Sequence, residues 1–538
     1  MSLPENKKIL IKKIKQIFDI SDINFYYPHI KLLKKKKKRF ILNDILYKLD
    51  DIDNKNLYNN NRQILVELFD SKLKKIIKKD IFVKKELILH PILYVKDSYK
   101  LNELLLPKNK YNLDYKKKIS HLNNSTYIDS FFYCLASKLV EKNLCIHFPL
   151  FCGACNGISH FYYEATQEMS YLKYKTAFRK NKNLYELIKV NNIVQSKKYH
   201  VSSINKSDST FTSSSESEES EYVEENNFNL NVDENESYES HISNENHLEL
   251  NIKNIKINSC GNKFDLSNIV LEKSYKNKNH SCCNKSSTSS NSSDSSDYIG
   301  YKESYLKFKN VPSQFTFIEN LDGTLEEVLE ENINVDNYLL SCLFQICFTL
   351  SLVQRIFNFT HNDLHTRNIM YKNTNQKYLY YKINNKFYKV PTYNKIFKII
   401  DFGRAIYTYN KHILFNDVYN KDGDASGQYT YPSEKRTKIV KPNYSFDLSR
   451  LAVSIFEDCN TTLNFTLKNL LKKWHTDNKN RDIRRYKEFD LYKAIARKIN
   501  NAIPKDQLTN PIFNKYLIEK NEIHRKCKIY DLNCKFYE

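Results

Sequence analysis

Apolar positions along this chain change period several times, and each change predicts a different element. Residues 338–353 read YLLSCLFQICFTLSLV, apolar almost all round. That pattern predicts a helix buried on every side, continuing to Phe357; sixteen residues containing Gln345 are short for a membrane span. Residues 126–143, TYIDSFFYCLASKLVEKN, carry apolar side chains at helical spacing, and residues 446–457 predict a further buried helix. Ile81-Phe82-Val83 runs into Lys84 and Lys85, with Leu87 to Leu89 beyond, and reads as a strand. Residues 147–151 and 315–318 read as strands too, the second followed by a turn from Glu319 to Gly323. Thr324 then predicts a helix N-cap, with Glu327 at capping-box spacing. Residues 378–383 and 386–390, joined by Asn384-Asn385, predict a hairpin. Residues 1–75, rich in Lys and Ile at helical spacing, predict a basic, mostly helical N-terminal extension.

Between residues 203 and 300 this patterning stops. The stretch is rich in Ser, Asn and Glu, with near low-complexity runs at 213–220 and 286–296. It offers little apolar surface to offset chain entropy, which predicts a disordered insertion. Its Ser residues followed by acidic ones fit either a solvated spacer or acceptor sites for an acidophilic kinase.

Composition changes the picture in three ways. The formal charge of +23 understates how basic the body is, because residues 207–250 hold 13 acidic residues and no Lys or Arg. A basic body attracts nucleic acid, anionic lipid or acidic proteins, and the run from Lys34 to Arg39 is the sharpest patch; a solvated Lys-rich surface gives the same composition. Twelve Cys without a signal-type N-terminus predict reduced thiols in an intracellular setting. Cys152-Gly153-Ala154-Cys155 lacks a second pair at zinc-binding spacing, and buried thiols are expected there.

The chemistry is concentrated in His361-Asn362-Asp363-Leu364-His365-Thr366-Arg367-Asn368 and in Asp401-Phe402-Gly403. These are H-x-D-L-x-x-x-N and D-F-G, in that order. Asp363 can orient and deprotonate an attacking hydroxyl, while the amide of Asn368 and the carboxylate of Asp401 can hold Mg²⁺ on a triphosphate. His361 is expected to make a structural hydrogen bond to the D-F-G backbone.

Together with STYIDSFFYCLASKLVEKN, GDASGQYTYP and NYSFDLSRLAVSIFED, these motifs resemble the eukaryotic-type protein kinase superfamily. Within it the chain looks like the serine/threonine kinases of giant DNA viruses of the mimivirus type. The resemblance implies an α+β, two-lobe fold: a small N-lobe sheet, a mainly helical C-lobe and the long insertion. It places the N-lobe at 76–202, the end of the N-lobe and hinge at 301–325, the C-lobe at 326–520 and a tail at 521–538. ATP and Mg²⁺ are the implied cofactors and a protein the implied substrate, with host cytoplasm, virion or nucleus as the setting. Asp363 matches the catalytic base, Asn368 and Asp401 the metal ligands, and Asp447 the aspartate that anchors the catalytic loop. Pro432 and Glu434 match the end of the activation segment. Lys84, or Lys85 beside it, matches the ATP lysine. Asp129 stands for its helix partner, and Glu319, at the hinge, is an implied nucleotide-binding residue.

Three departures qualify the resemblance. His365 stands where most protein kinases have Lys, leaving His365, if protonated, or Arg367 to supply charge; haspin-like kinases and many small-molecule kinases also carry D-L-H. Asn362 replaces an Arg, which removes the usual partner of an activation-loop phosphate. No glycine precedes Gly153, so a phosphate-covering loop must be built from residues such as Asn59-Asn60-Asn61 or Ser71. An active protein kinase, a kinase-fold enzyme for a small molecule and a pseudokinase scaffold are therefore the three readings.

Overall fold

In the computed structural model, residues 5–32, 46–49, 63–70, 75–95, 106, 118–166, 168–195, 249–252, 298–331, 335–421, 423–430, 442–459 and 463–536 are described. They fall in two compact units, one of Met1–Leu187, Lys256–Glu272 and Tyr305–Glu538, the other of Ile188–Ile255 and Lys273–Ser304. In the smaller unit, Lys189 to Asn192 pair in parallel with Glu249 to Ile252. Most of the predicted insertion lies outside the described residues. The pieces of it that are described, Glu249–Ile252 and the start of Tyr298–Glu319, are strands.

The larger unit is α+β. Its sheet runs in the spatial order Ile23–Asn24, Phe151–Glu164, the strand from Tyr305 to Glu319, Lys75–Leu87, Gln63–Asp70, Leu46–Leu49, and every pairing on this path is antiparallel. The first 75 residues therefore depart from the helical expectation. The helix Glu5–Ile17 is present, but Leu46–Leu49 and Gln63–Asp70 are strands. Gln63–Asp70, QILVELFD, is a short apolar run with branched and aromatic residues between polar ends, a composition and length that suit a strand. Residues 147–150 form a loop and the strand expected there starts at Phe151.

Cys152 and Cys155 are three residues apart and would face opposite sides of a regular strand. A register shift at Gly153, whose φ of 137° suits glycine, puts both into one apolar cluster with Ile81, Val83, Phe315 and Phe317. Burial pushes both thiols up to about 12, leaving them protonated packing groups.

The helix Ser125–Glu141 starts where Asn124 accepts the Thr126 N–H, and Asn124 Nδ2 donates to Ile88 O at 2.7 Å. One side chain thus caps the helix and ties it to the chain just beyond the Lys84 strand. Asn143 (φ 55°) closes the other end in the left-handed region.

The helix Val335–Phe357 is the one described element long and apolar enough to cross a membrane, and 89% of its most apolar window is buried in the protein. Several of its buried polar residues bond to other elements: Ser341 donates to Pro391 O and Gln354 to Tyr444 O. Gln345 Oε1 accepts the Phe397 N–H at 3.0 Å, which fixes the strand Lys395–Ile399 against the helix.

That strand pairs antiparallel with Ile369–Asn373, Ile369 opposite Ile399, so Asn368 and Asp401 lie just beyond the same end of one ribbon. The residues between form the expected hairpin, Tyr378–Ile383 against Lys386–Pro391, turned by Asn384 (φ 54°). The C-terminal segment is built into it. Ile529–Asp531 pairs in parallel with Tyr380 to Lys382, and Leu517–Ile518 pairs with Phe387 and Tyr388.

Candidate functional site

Lys84 lies on the strand Lys75–Leu87 and is 5% exposed. Its ammonium meets Asp129 Oδ2 at 2.8 Å, Asp401 Oδ1 at 2.9 Å and Glu86 Oε1 at 3.1 Å. Lys85, pointing to the opposite face, bonds to the His160 carbonyl and lies over the Phe315 ring, so Lys84 is the lysine of the cluster. Asp129 is fully buried on the Ser125–Glu141 helix, and its second oxygen accepts the Phe402 N–H at 2.6 Å. Asp, one methylene shorter than Glu, reaches both because strand and helix are tied together at Asn124. Burial works against the Lys84 ammonium, but the carboxylates around it raise its pKa well above the ordinary value. Burial works against the Asp401 carboxylate too, and Lys84 outweighs it, holding Asp401 well below its usual range.

The catalytic-type loop is held from beneath by Asp447 on the helix Phe446–Asp458. Its carboxylate accepts the His361 N–H at 2.9 Å and the Asn362 N–H at 2.9 Å. Asn362, with φ 63°, is fully buried. It donates to Arg404 O at 3.1 Å and accepts from the Tyr429 hydroxyl at 2.7 Å. His361 Nε2 donates to Ile400 O at 2.8 Å, just before Asp401, and its Nδ1 accepts the Asp363 N–H at 3.3 Å. One imidazole thus couples the two motifs.

Asn368 Nδ2 donates to Asp363 O at 2.9 Å and to His365 Nε2 at 3.1 Å. That leaves the Asn368 carbonyl oxygen as its free end for a cation. Asp363 Oδ1 accepts the Tyr492 hydroxyl at 2.6 Å and lies 3.7 Å from the Arg404 guanidinium. Burial pushes the Asp363 carboxyl up, but the Arg404 guanidinium, with the Tyr492 hydrogen bond, holds it below its usual range.

Three sequence assignments change. His365 is not a charge source: burial pushes its imidazole down despite Asp363, and it acts as a neutral acceptor for Asn368. Arg367 turns away from Asp363 and forks onto Glu326, Nε to Oε1 2.8 Å and to Oε2 2.9 Å, because that carboxylate, nearly buried on Leu325–Glu331, has no other cation beside it among the described ion pairs. Glu319 is not a nucleotide contact through its side chain. Its carboxylate binds Lys398 at 2.8 Å, Lys79 at 3.3 Å and the Leu150 N–H at 3.2 Å. Arg404 and Tyr492 were missed. Arg404 directly follows D-F-G, a usable signal, whereas Tyr492 has no motif around it. Pro432, Glu434, the basic run from Lys34 to Arg39, Asn59 to Asn61 and Ser71 lie outside the described residues.

No known family model matches the chain. It is similar to the serine/threonine-protein kinase haspin of Mus musculus, 31% identical over 103 residues, 19% of this chain and 14% of that protein. Similarity to the serine/threonine-protein kinase haspin of Bos taurus is 30% over 103 residues, 13% of that protein. The chain thus spans about one seventh of the length of these curated relatives, a partial likeness to protein kinases carried by a fifth of its own residues.

Proposed function

We propose that this chain is a two-lobe protein kinase that transfers the γ-phosphate of ATP to Ser or Thr hydroxyls. The observation that carries this reading is the meeting of Lys84 with Asp129 and Asp401 at 2.8 and 2.9 Å, joined through His361 to the loop of Asp363 and Asn368. The chain's own residues divide the work. Asp363 accepts the hydrogen bond of the acceptor hydroxyl and takes its proton as the new phosphorus–oxygen bond forms and the bond from the γ-phosphorus to the bridging oxygen breaks, with ADP leaving. Lys84 is placed to bind phosphate oxygens, and Asp129 keeps it charged and aimed.

The residues present fit Mg²⁺. Asp401 and the Asn368 carbonyl are hard oxygen donors, and Glu86 Oε2 is a buried oxygen without a hydrogen-bond partner beside them. When bound, the cation neutralises phosphate charge. The partial likeness to haspin supports the Ser/Thr acceptor class. The resemblance to giant-virus kinases and an intracellular setting belong to the same proposal, the second supported by nine described cysteines that are all free thiols. So does contact with acidic partners or nucleic acid through the basic N-terminal region.

One observation favours a scaffold reading instead: residues 50–62, between the strands Leu46–Leu49 and Gln63–Asp70, contain no glycine. Incubation of the purified chain with γ-labelled ATP, Mg²⁺ and basic and acidic test proteins decides between them. Transfer by the parent and loss in Asp363→Asn, with nucleotide binding retained, is the expected result. Equal transfer by both chains would remove Asp363 from the mechanism, and failure of the parent to bind ATP would favour the scaffold.

A further inference from the structure

We propose that Tyr492 is a positioning residue for the carboxylate of Asp363, locked in its role by Arg450; this rests on the kinase reading above. Tyr492 lies on the helix Glu488–Lys498, 129 residues beyond Asp363. Its hydroxyl is 2.6 Å from Asp363 Oδ1, and Arg450 Nε donates to the same hydroxyl at 3.2 Å. A phenol has one hydrogen. Because the arginine can only donate, that hydrogen is committed to Asp363.

The ring is packed between charged and aromatic neighbours. Arg404 and Arg450 lie over it with guanidinium carbons 5.3 and 5.5 Å from its centroid, and Phe489 stacks on it at 5.8 Å and 18°. Arg450 stands three residues after Asp447 on the helix Phe446–Asp458. The same helix therefore holds the loop backbone through Asp447 and the Asp363 side chain through Arg450 and Tyr492. With Oδ1 occupied, Oδ2 is the oxygen turned to the acceptor hydroxyl. A loop that carries His365 in place of a lysine gains its fixed carboxylate geometry from a distant helix instead.

The test compares the full-length parent with Tyr492→Phe and Arg450→Gln in steady-state phosphoryl transfer, with melting temperature measured in parallel. Tyr492→Phe keeps the ring and deletes only the hydroxyl. We expect kcat to fall roughly 10- to 100-fold, the loss of a charge-assisted hydrogen bond, with the KM for ATP and the melting temperature unchanged. Arg450→Gln, which frees the phenol to rotate, should lower kcat by a smaller factor. An unchanged kcat in Tyr492→Phe would overturn the proposal. A raised kcat would also overturn it, because the hydroxyl would then be blocking the acceptor's place. In both cases the parent's activity leaves the kinase reading standing, whereas a parent that transfers no phosphate removes both together.

Discussion

Two buried lysine–carboxylate clusters sit in the larger unit of this protein, and they are built in opposite ways. Around Lys84 one ammonium faces three carboxylates, Asp129, Asp401 and Glu86. Around Glu319 one carboxylate faces two ammoniums, Lys398 and Lys79. The Lys398–Glu319 pair is closed, its side chains 5% and 7% exposed with Lys79 at the rim at 27%, whereas the Asp401 side chain is 36% exposed. A closed pair of opposite charges holds structure together. An open one with surplus negative charge is poised for a cation and for phosphates brought with it. On the proposed reading the same chemistry serves packing in one place and binding in the other, and stoichiometry and access tell them apart.

Mutations should separate the clusters cleanly. The largest effect is expected at Asp363, beside the open cluster. Asp363→Asn should lower transfer by about 10² to 10⁴, the range for losing a general base, with the melting temperature unchanged. Within that cluster, Asp401→Asn should abolish Mg²⁺-dependent nucleotide binding and also lower the melting temperature somewhat, because Lys84 holds Asp401 below its usual range and the ionised carboxylate stabilises the fold. In the closed cluster stability carries the main effect. Glu319→Leu leaves Lys398 buried without its counter-charge and should cost about 3–5 kcal/mol in a denaturant titration, with transfer per folded molecule retained.

Acidity gives a smaller readout of the same contrast. Burial pushes Glu319 up, but Lys398 and Lys79 outweigh it and hold it at about 2 against an ordinary 4.5. A depressed carboxylate stabilises the fold fully above its unfolded value, and that contribution is lost as pH falls from about 4.5 toward about 2. Glu319→Gln should lack this part of the acid transition; an identical acid profile would detach Glu319 from it. The smallest effect is expected at Arg367, whose side chain is 55% exposed. Arg367→Ala should leave kcat within a few-fold, because Arg367 bonds to Glu326 and not to Asp363, and a collapse of kcat there would restore it to the site.

What could be read from the sequence follows the range of the interactions. Asp363, Asn368 and Asp401 were legible because their spacing reflects one loop and one strand end. The hairpin at Asn384 and the cap at Thr324 were legible because turns and caps are local: Glu327 N–H donates to Thr324 Oγ1 at 3.2 Å, and Thr324 N–H donates to Glu327 Oε2 at 2.9 Å. Lys84 and Lys85 could not be separated until the strand's two faces were known. Glu319 was misplaced because its partners stand 79 and 240 residues away. Arg367 was misassigned because the loop turns it outward onto Glu326. Tyr492 was invisible, since nothing in FDLYKAI announces that one phenol will meet Asp363.

The central claim is that the Lys84 cluster is a Mg²⁺–nucleotide site, and nucleotide binding by the intact chain tests it most directly. Titration with ATP, with and without Mg²⁺, should raise the parent's melting temperature only when both are present, as binding to the native state requires. Asp401→Asn should show no such rise, and Glu319→Gln should rise from its lower baseline by as much as the parent. A parent whose melting temperature does not move at millimolar Mg²⁺ and ATP would contradict the claim.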